Sequence, residues 1–152
     1  MIEAAAIQFV LGTPATPEPV RLAAQQALAL TLAGRAYPGH APQETDYPYL
    51  IVSKSGADHK RSLQGPTKLC GTVLRLEAYH PLYSTAETIA DQLRRLLDGY
   101  RGWLGQASPG GGFFAQAVFQ DDDDNQWSAP VHADEQGVEA VELRLRVFHA
   151  EL

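Results

Sequence analysis

Residues 68–79 read KLCGTVLRLEAY, and residues 138–149 read VEAVELRLRVFH. In the first stretch Cys70, Thr72, Leu74, Leu76 and Ala78 alternate with Gly71, Val73, Arg75 and Glu77. In the second, Val141, Leu143, Leu145 and Val147 alternate with Glu142, Arg144, Arg146 and Phe148. A period of two places successive side chains on opposite faces, which is the signature of a strand. Each stretch has one apolar face and one mixed face. That pattern suits an antiparallel sheet covered on one side only.

Two further strands flank these. Residues 49–53, YLIVS, follow Tyr47-Pro48, and residues 113–120, FFAQAVFQ, follow the turn Pro109-Gly110-Gly111-Gly112. The polar residues 56–67, with Gly65-Pro66, read as a long hairpin connection. A helix is expected over 17–32, with Thr16 as N-cap, Pro17 in the first turn, Glu18 at the positive dipole end and Gly34 as a left-handed stop. A second helix opens at Ser84-Thr85-Ala86-Glu87, a capping box, carries Ile89, Ala90, Leu93, Leu96 and Leu97 on one stripe, and ends at Gly99. Tyr100, Trp103 and Leu104 are expected at the rim of the core. Residues 1–11 are apolar and fit a short helix or a short strand. The order helix, strand, strand, helix, strand, strand gives an α+β fold: an antiparallel four-stranded β-sheet with two main helices packed on one face.

The chain has 152 residues, the length of one ordinary domain, and is read as a single unit over 1–152, with 1–16 an N-terminal extension and Pro-rich segment. Apolar residues make up 45% and charged residues 20%, as in a soluble globular protein. No apolar run is long enough to span a membrane, and Glu3 without a basic flank argues against a secretory signal. The single Cys70 excludes an intrachain disulfide framework and fits synthesis in the cytoplasm. A net charge of −6 argues against specific nucleic-acid binding through a basic face.

No set of residues is assigned as catalytic, cofactor-binding or metal-binding. Asp121, Asp122, Asp123, Asp124 and Asn125 invite a calcium loop, but Gln126 stands where such a loop needs glycine and His132 where it needs glutamate. A metal-dependent enzyme would have to rest on these aspartates and His132, whose spacing fails; the run reads as solvated charge at a strand end. His40, His59, His80, His132 and His149 show no ligand spacing and read as loop or surface residues. The turn at 109–112 leads into a strand and lacks a following lysine, so it is not a phosphate loop. Cys70, mid-strand on the apolar face, reads as a buried inert thiol, and Ser53 and Ser62 lack a nucleophile-elbow context. One positive feature remains. The mixed sheet face carries Val73, Arg75, Glu77, Tyr79, Arg144, Arg146 and Phe148, a composition that suits a protein–protein interface or a plain solvated face.

The residues Gly34-Arg35-Ala36-Tyr37-Pro38-Gly39-His40-Ala41-Pro42-Gln43, followed by Tyr47-Pro48-Tyr49-Leu50-Ile51-Val52, resemble the G-R-V-Y-P…A-P-Q…P-Y opening of the phage tail-completion family. The helix AETIADQLRRLLDGYRG at 86–102 is similar to that family's A-E-A-L-A-D-A-V-R-x-A-L-D-G-F-x-G. The strand at 69–79, the acidic run and the closing strand follow in the family's order, so the resemblance extends from about Val20 to the C-terminus. It implies a non-enzymatic structural virion subunit without cofactors, made in the cytoplasm of a bacterial host and located at the head–tail interface. Such a subunit completes the tail, caps the tail tube protein and joins it to the head–tail connector or stopper protein. It works as a homo-oligomeric ring, a hexamer, through which DNA passes without specific binding. The alternative is a tail-assembly chaperone or minor tail component absent from the mature particle.

Overall fold

The computed structural model describes residues 2–62, 65–105, 113–120, 126–128 and 139–150. Two helices come first, α1 (Ile2–Val10) and α2 (Pro19–Leu32), then the strands β1 (Ala36–Pro38), β2 (Tyr49–Ser62) and β3 (Gly65–His80). The helix α3 (Tyr83–Leu97) precedes β4 (Gly102–Leu104), β5 (Phe113–Gln120), β6 (Gln126–Ser128) and β7 (Glu139–Ala150). The strands form one seven-stranded sheet in the order β1-β2-β3-β7-β5-β4, with β6 also on β7.

The expectation of a four-stranded antiparallel sheet with two helices is therefore corrected. The sheet is mixed, because β1 runs parallel to β2, and three helices accompany it. Its three additional strands have three residues each, too short to show any alternation. The long connection expected at 56–67 is also overturned. The β2 and β3 strands stay paired out to Arg61 opposite Pro66 and Ser62 opposite Gly65, making a long hairpin. Two register shifts interrupt it, between Lys54 and Gly56 and between His59 and Arg61.

The centre of the sheet is the antiparallel pair β3–β7, in register from Leu69 opposite Ala150 to His80 opposite Glu139. Its inward rows, Leu74, Leu76 and Ala78 beside Leu143, Leu145 and Val147, join Ile89, Leu93, Leu96 and Leu97 of α3 in the main core. Burial of this kind contributes roughly 1.5–3 kcal/mol per large side chain, which is why the apolar stripe of α3 faces the sheet. At the end of α3, Asp98 is extended and Gly99 takes φ 75°. There the Gly99 N–H donates to Val118 O at 2.7 Å, and the Gln120 N–H donates to Asp98 Oδ1 at 3.0 Å. Those bonds tie the helix end to β5.

Helix starts differ from expectation. The N-cap of α2 is Glu18 with Pro19 following, two residues later than Thr16 and Pro17, and Ala33 takes the left-handed position at its end. The N-cap of α3 is Leu82, with no side-chain cap bond, so Ser84 and Glu87 do not form the expected box. The Leu82 N–H instead donates to His80 Nδ1 at 2.9 Å.

Residues 1–11 resolve to a helix over the described part. In α1, Ile2, Ala5, Ala6, Ile7, Phe9 and Val10 are all buried in the main core. With Glu3 and Gln8 as its two polar residues, so short an apolar helix gives too weak a period to orient it. The chain turns back after α1 because of Gln25, which is 1% exposed. Its Nε2 donates to Phe9 O at 2.6 Å and Pro14 O at 2.9 Å, and its Oε1 accepts from Thr16 N–H at 3.1 Å. One side-chain amide thus meets three backbone groups, among them the Phe9 carbonyl, which also accepts from the Gly12 N–H at 3.1 Å. The α2–α3 packing is held similarly by Arg21, whose Nη1 donates to Leu96 O and Asp98 O, both at 2.9 Å.

Gln25→Leu removes all three bonds while filling the space. Unmet buried groups make this cost on the order of 3 kcal/mol. Urea titration of the variant should show that loss, together with early exchange of the α1 amides. A change below about 1 kcal/mol would contradict the clamp.

Candidate assembly surface

Strand parity places Val73, Arg75, Glu77 and Tyr79 of β3 beside Arg144, Arg146 and Phe148 of β7, all on the face away from the main core. The mixed face read from the sequence is thus one continuous surface. It is neither a bare solvated face nor uniform. At its base the rings of Tyr47, Tyr49 and Tyr79 stack in series, with centroids 5.5 and 4.9 Å apart. The segment from Gly39 to Pro48 folds over them. It is fixed by Gly39 N–H to Val52 O at 3.0 Å, by the Thr45 hydroxyl on Pro42 O, and by Arg35 Nε on Pro48 O at 2.9 Å. Between this segment and the tyrosines lies a cavity of about 270 Å³, with Glu44, Thr45, Ile51 and the three rings in its wall.

The middle of the face is a charge network. Glu77, 6% exposed, accepts from Tyr79 Oη at 2.6 Å and from Arg75 Nε and Nη2 at 3.1 and 3.0 Å. Glu142 Oε1 accepts from Arg144 Nε at 2.6 Å and lies 3.8 Å from Arg75 Nε. Arg75 and Arg144 stand directly opposite in register, as do Glu77 and Glu142, so the short bonds run along each strand, Arg75 to Glu77 and Arg144 to Glu142, and the Arg75–Glu142 pair crosses diagonally. A buried carboxylate is tolerated here because its lone pairs are met by three donor bonds. Burial, then the hydrogen bond to Glu77 and the charge of that carboxylate, push the Tyr79 phenol well above its usual range.

The far side is aromatic. Trp103 of β4 pairs with Phe114 of β5, their rings edge to face at 5.6 Å, and the Arg101 guanidinium lies 6.0 Å from the Phe114 centroid. Phe119 and Phe148 also meet edge to face, at 6.2 Å. Trp103, Phe114 and Phe119 are 38%, 38% and 53% exposed. The Phe148 ring lies over Gly71, where an added Cβ would sit 3.2 Å from its Cε1. Of these aromatics Phe148 is read on this face from the sequence, Trp103 is placed at the core rim, and Phe114 and Phe119 are not singled out. The reason is a bulge between Ala115 and Ala117. It shifts parity by one, so Phe114 and Phe119, five residues apart, share a face that strict alternation would deny them.

The remaining candidates fall elsewhere. His40 is exposed in the loop after β1, and His59 lies in β2 opposite Cys70. His149 is not a surface residue: it is 8% exposed on the inward row, with Nε2 2.7 Å from Thr72 Oγ1 and its ring edge-on to Phe113. Cys70 is buried, with Sγ 3.8 Å from Thr72 Oγ1. The acidic run 121–125, His132 and the turn 109–112 lie outside the described residues. Among the described residues no three His, Cys, Asp or Glu side chains gather as a metal site, and no helix is long and apolar enough to cross a membrane.

Because the Tyr79 phenol is held above its unfolded value near 10, it contributes stability that is present below about pH 10 and lost as the pH rises beyond it. Tyr79→Phe should lower stability at pH 7 by about 2 kcal/mol, by orphaning a bond to a charged acceptor. The variant should also show a shallower alkaline decline than the wild type in thermal melts between about pH 8 and 11. Parallel alkaline slopes would refute the assignment.

No curated protein sequence matches the chain. In fold, it is similar to a chain from a solved structure described as the virion of a native gene transfer agent particle. The TM-score is 0.53 at 14% identity, over 97% of both chains. The model of the family described as tail completion protein gp17 matches residues 20–131. The chain belongs to this gp17 family of tail completion proteins, structural components of phage-type virion tails.

Proposed function

We propose that the protein completes the tail as a ring-forming subunit that caps the tail tube and joins it to the head connector, leaving a channel for DNA. The observation that carries this reading is the open sheet face, where an aromatic cluster and an arginine–glutamate network lie side by side. Aromatics and arginine are the residues that dominate the energetics of protein interfaces. A closed ring needs heterologous contacts, in which two different patches of one chain meet. The two ends of this face differ in that way, with tyrosines under a loop at one end and Trp103, Phe114 and Phe119 at the other. A net charge of −6 disfavours tight adhesion to DNA, as suits a channel wall.

The reading is tested by adding the purified chain to tail tubes assembled without it and imaging the tube ends. Rings of uniform diameter at one end are expected, and bare tube ends would refute the proposal. Trp103→Ala with Phe114→Ala should leave the fold intact, since both rings are exposed, and reduce end occupancy at least about tenfold.

A further inference from the structure

Helix α1 packs against β1, β2 and β4 as well as against α2. In the sheet order β1-β2-β3-β7-β5-β4, the strands β1 and β4 are the two edges. Five inter-strand steps separate them, an arc of about 24 Å at about 4.8 Å per step. A helix with its side chains is only about 10–12 Å across. One helix meets both edges because the sheet curls into a half-barrel with α1 in its open side. Ala36 of β1, Leu50 and Val52 of β2 and Leu104 of β4 accordingly share one buried cluster with the apolar residues of α1.

The link from α1 to β4 runs through Tyr100. The Phe9 and Tyr100 rings lie 4.5 Å apart, and Tyr100 Oη donates to the Trp103 carbonyl at 2.9 Å. Gly102 opens β4 against that hydroxyl, where an added Cβ would sit 2.5 Å from Oη. The position of Trp103 is thus tied to α1 by a ring contact and a hydrogen bond. Strand pairing alone does not fix the separation of the edges, because neighbouring strands tolerate rotations of about 10–35°. Summed over five steps, that latitude leaves the separation to whatever packs between the edges. Packed interiors compress little and transmit strain.

The two ends of the open face sit on these edges. The stacked tyrosines and the segment over them belong to the β1–β2–β3 side, and Trp103, Phe114 and Phe119 to β4 and β5. We infer that α1 is the spacer of the subunit: its bulk sets the angle between the two assembly patches, and with it the number of copies that close a ring. The inference rests on the ring reading above. A heterologous contact makes a ring when its rotation closes and an open helix when it does not. Six copies need about 60° per contact and seven about 51°. A tilt of about 9° between the patches is therefore enough to change the number.

The test compares Phe9→Ala, the milder Phe9→Leu and the bulkier Ala6→Val with Leu93→Ala. Leu93 is as buried as Ala6 but lies on α3, which packs on β3, β7 and β5 and not on the edges. Spin labels at His40→Cys and Arg101→Cys, both exposed positions, report the separation of the two patches by pulsed electron resonance in a Cys70→Ala background. At temperatures where melts show every variant folded, the α1 variants should shift or broaden that separation by a few ångström, and Leu93→Ala should not. On tail tubes the wild type and Leu93→Ala should give rings of one copy number, and the α1 variants changed numbers or open arcs. An unchanged separation in the α1 variants overturns the spacer, whatever the rings do. Equal broadening in Leu93→Ala also overturns it, since loss of stability would then be the cause. A shifted separation with rings of wild-type size overturns the link to copy number. A wild type that forms no ring fails the ring reading, and the label separation still decides the spacer.

Discussion

The register of β3 against β7 is the constraint on which the other features depend. Twelve consecutive residue pairs align from Leu69 with Ala150 to His80 with Glu139. A slip of one residue would turn Leu74 and Leu76 outward and bury Arg75. A slip of two would keep every side chain on its face, so the hydrophobic pattern alone does not exclude it. Electrostatics would even favour such a slip, since it would bring Arg75 opposite a glutamate. Two local fits oppose it. Gly71 lies under the Phe148 ring, where any Cβ would crowd Cε1, and Thr72 Oγ1 meets Nε2 of the buried His149. Each is specific to the observed pairing, so a glycine and a buried polar pair do what the leucine rows cannot.

From that register the two faces inherit different roles. The inward rows and α3 make the core, and α1 and α2 enclose its remaining flank through the Gln25 and Arg21 bonds. The outward rows bring acids and arginines together with aromatics on a surface that none of the described helices covers. The Glu77 carboxylate shows how far this face departs from ordinary solvated surface. It is nearly as buried as the core yet holds three donor bonds, so the central part of the face is rigid. A rigid, partly desolvated patch loses little side-chain entropy on binding, which is a large part of what separates an interface from a mere exposed sheet.

Legibility in the sequence followed the reach of periodicity. The β3 and β7 strands were readable because one apolar face and one mixed face repeat over many residues. Residues 54–62 of β2 and 65–67 of β3 were not, because a ribbon beyond the core keeps its pairing by backbone bonds and needs no apolar side. The β1, β4 and β6 strands are too short to carry a period, and the parallel pairing of β1 is set by the turn between Gly39 and Pro48. Capping was misjudged at both helices for one reason: the side-chain oxygens present, Thr16 and Ser84, lie inside or before the actual start, and backbone geometry chose Glu18 and Leu82. Of the candidate surface, its β3 and β7 residues were legible and its aromatic side was not, because a single bulge reset the parity of β5.

The division of labour between the two basic residue types follows the same logic. Arginines are used where a fixed fork must reach several acceptors at once. Arg21 spans two carbonyls and Glu18, Arg35 reaches the carbonyl of Pro48, Arg75 bridges two glutamates, and Arg94 holds Asp91. All three lysines instead lie on the β2–β3 hairpin. A planar guanidinium loses less freedom per bond formed, so it suits internal joints, whereas a hydrated ammonium costs less to keep exposed. Lysine on an edge strand also discourages unwanted strand pairing. That function alone would be served by any charge, including the acids that outnumber bases elsewhere in this chain. Here the ribbon carries one sign, four bases against one acid over 54–68, opposite to the net charge of the molecule.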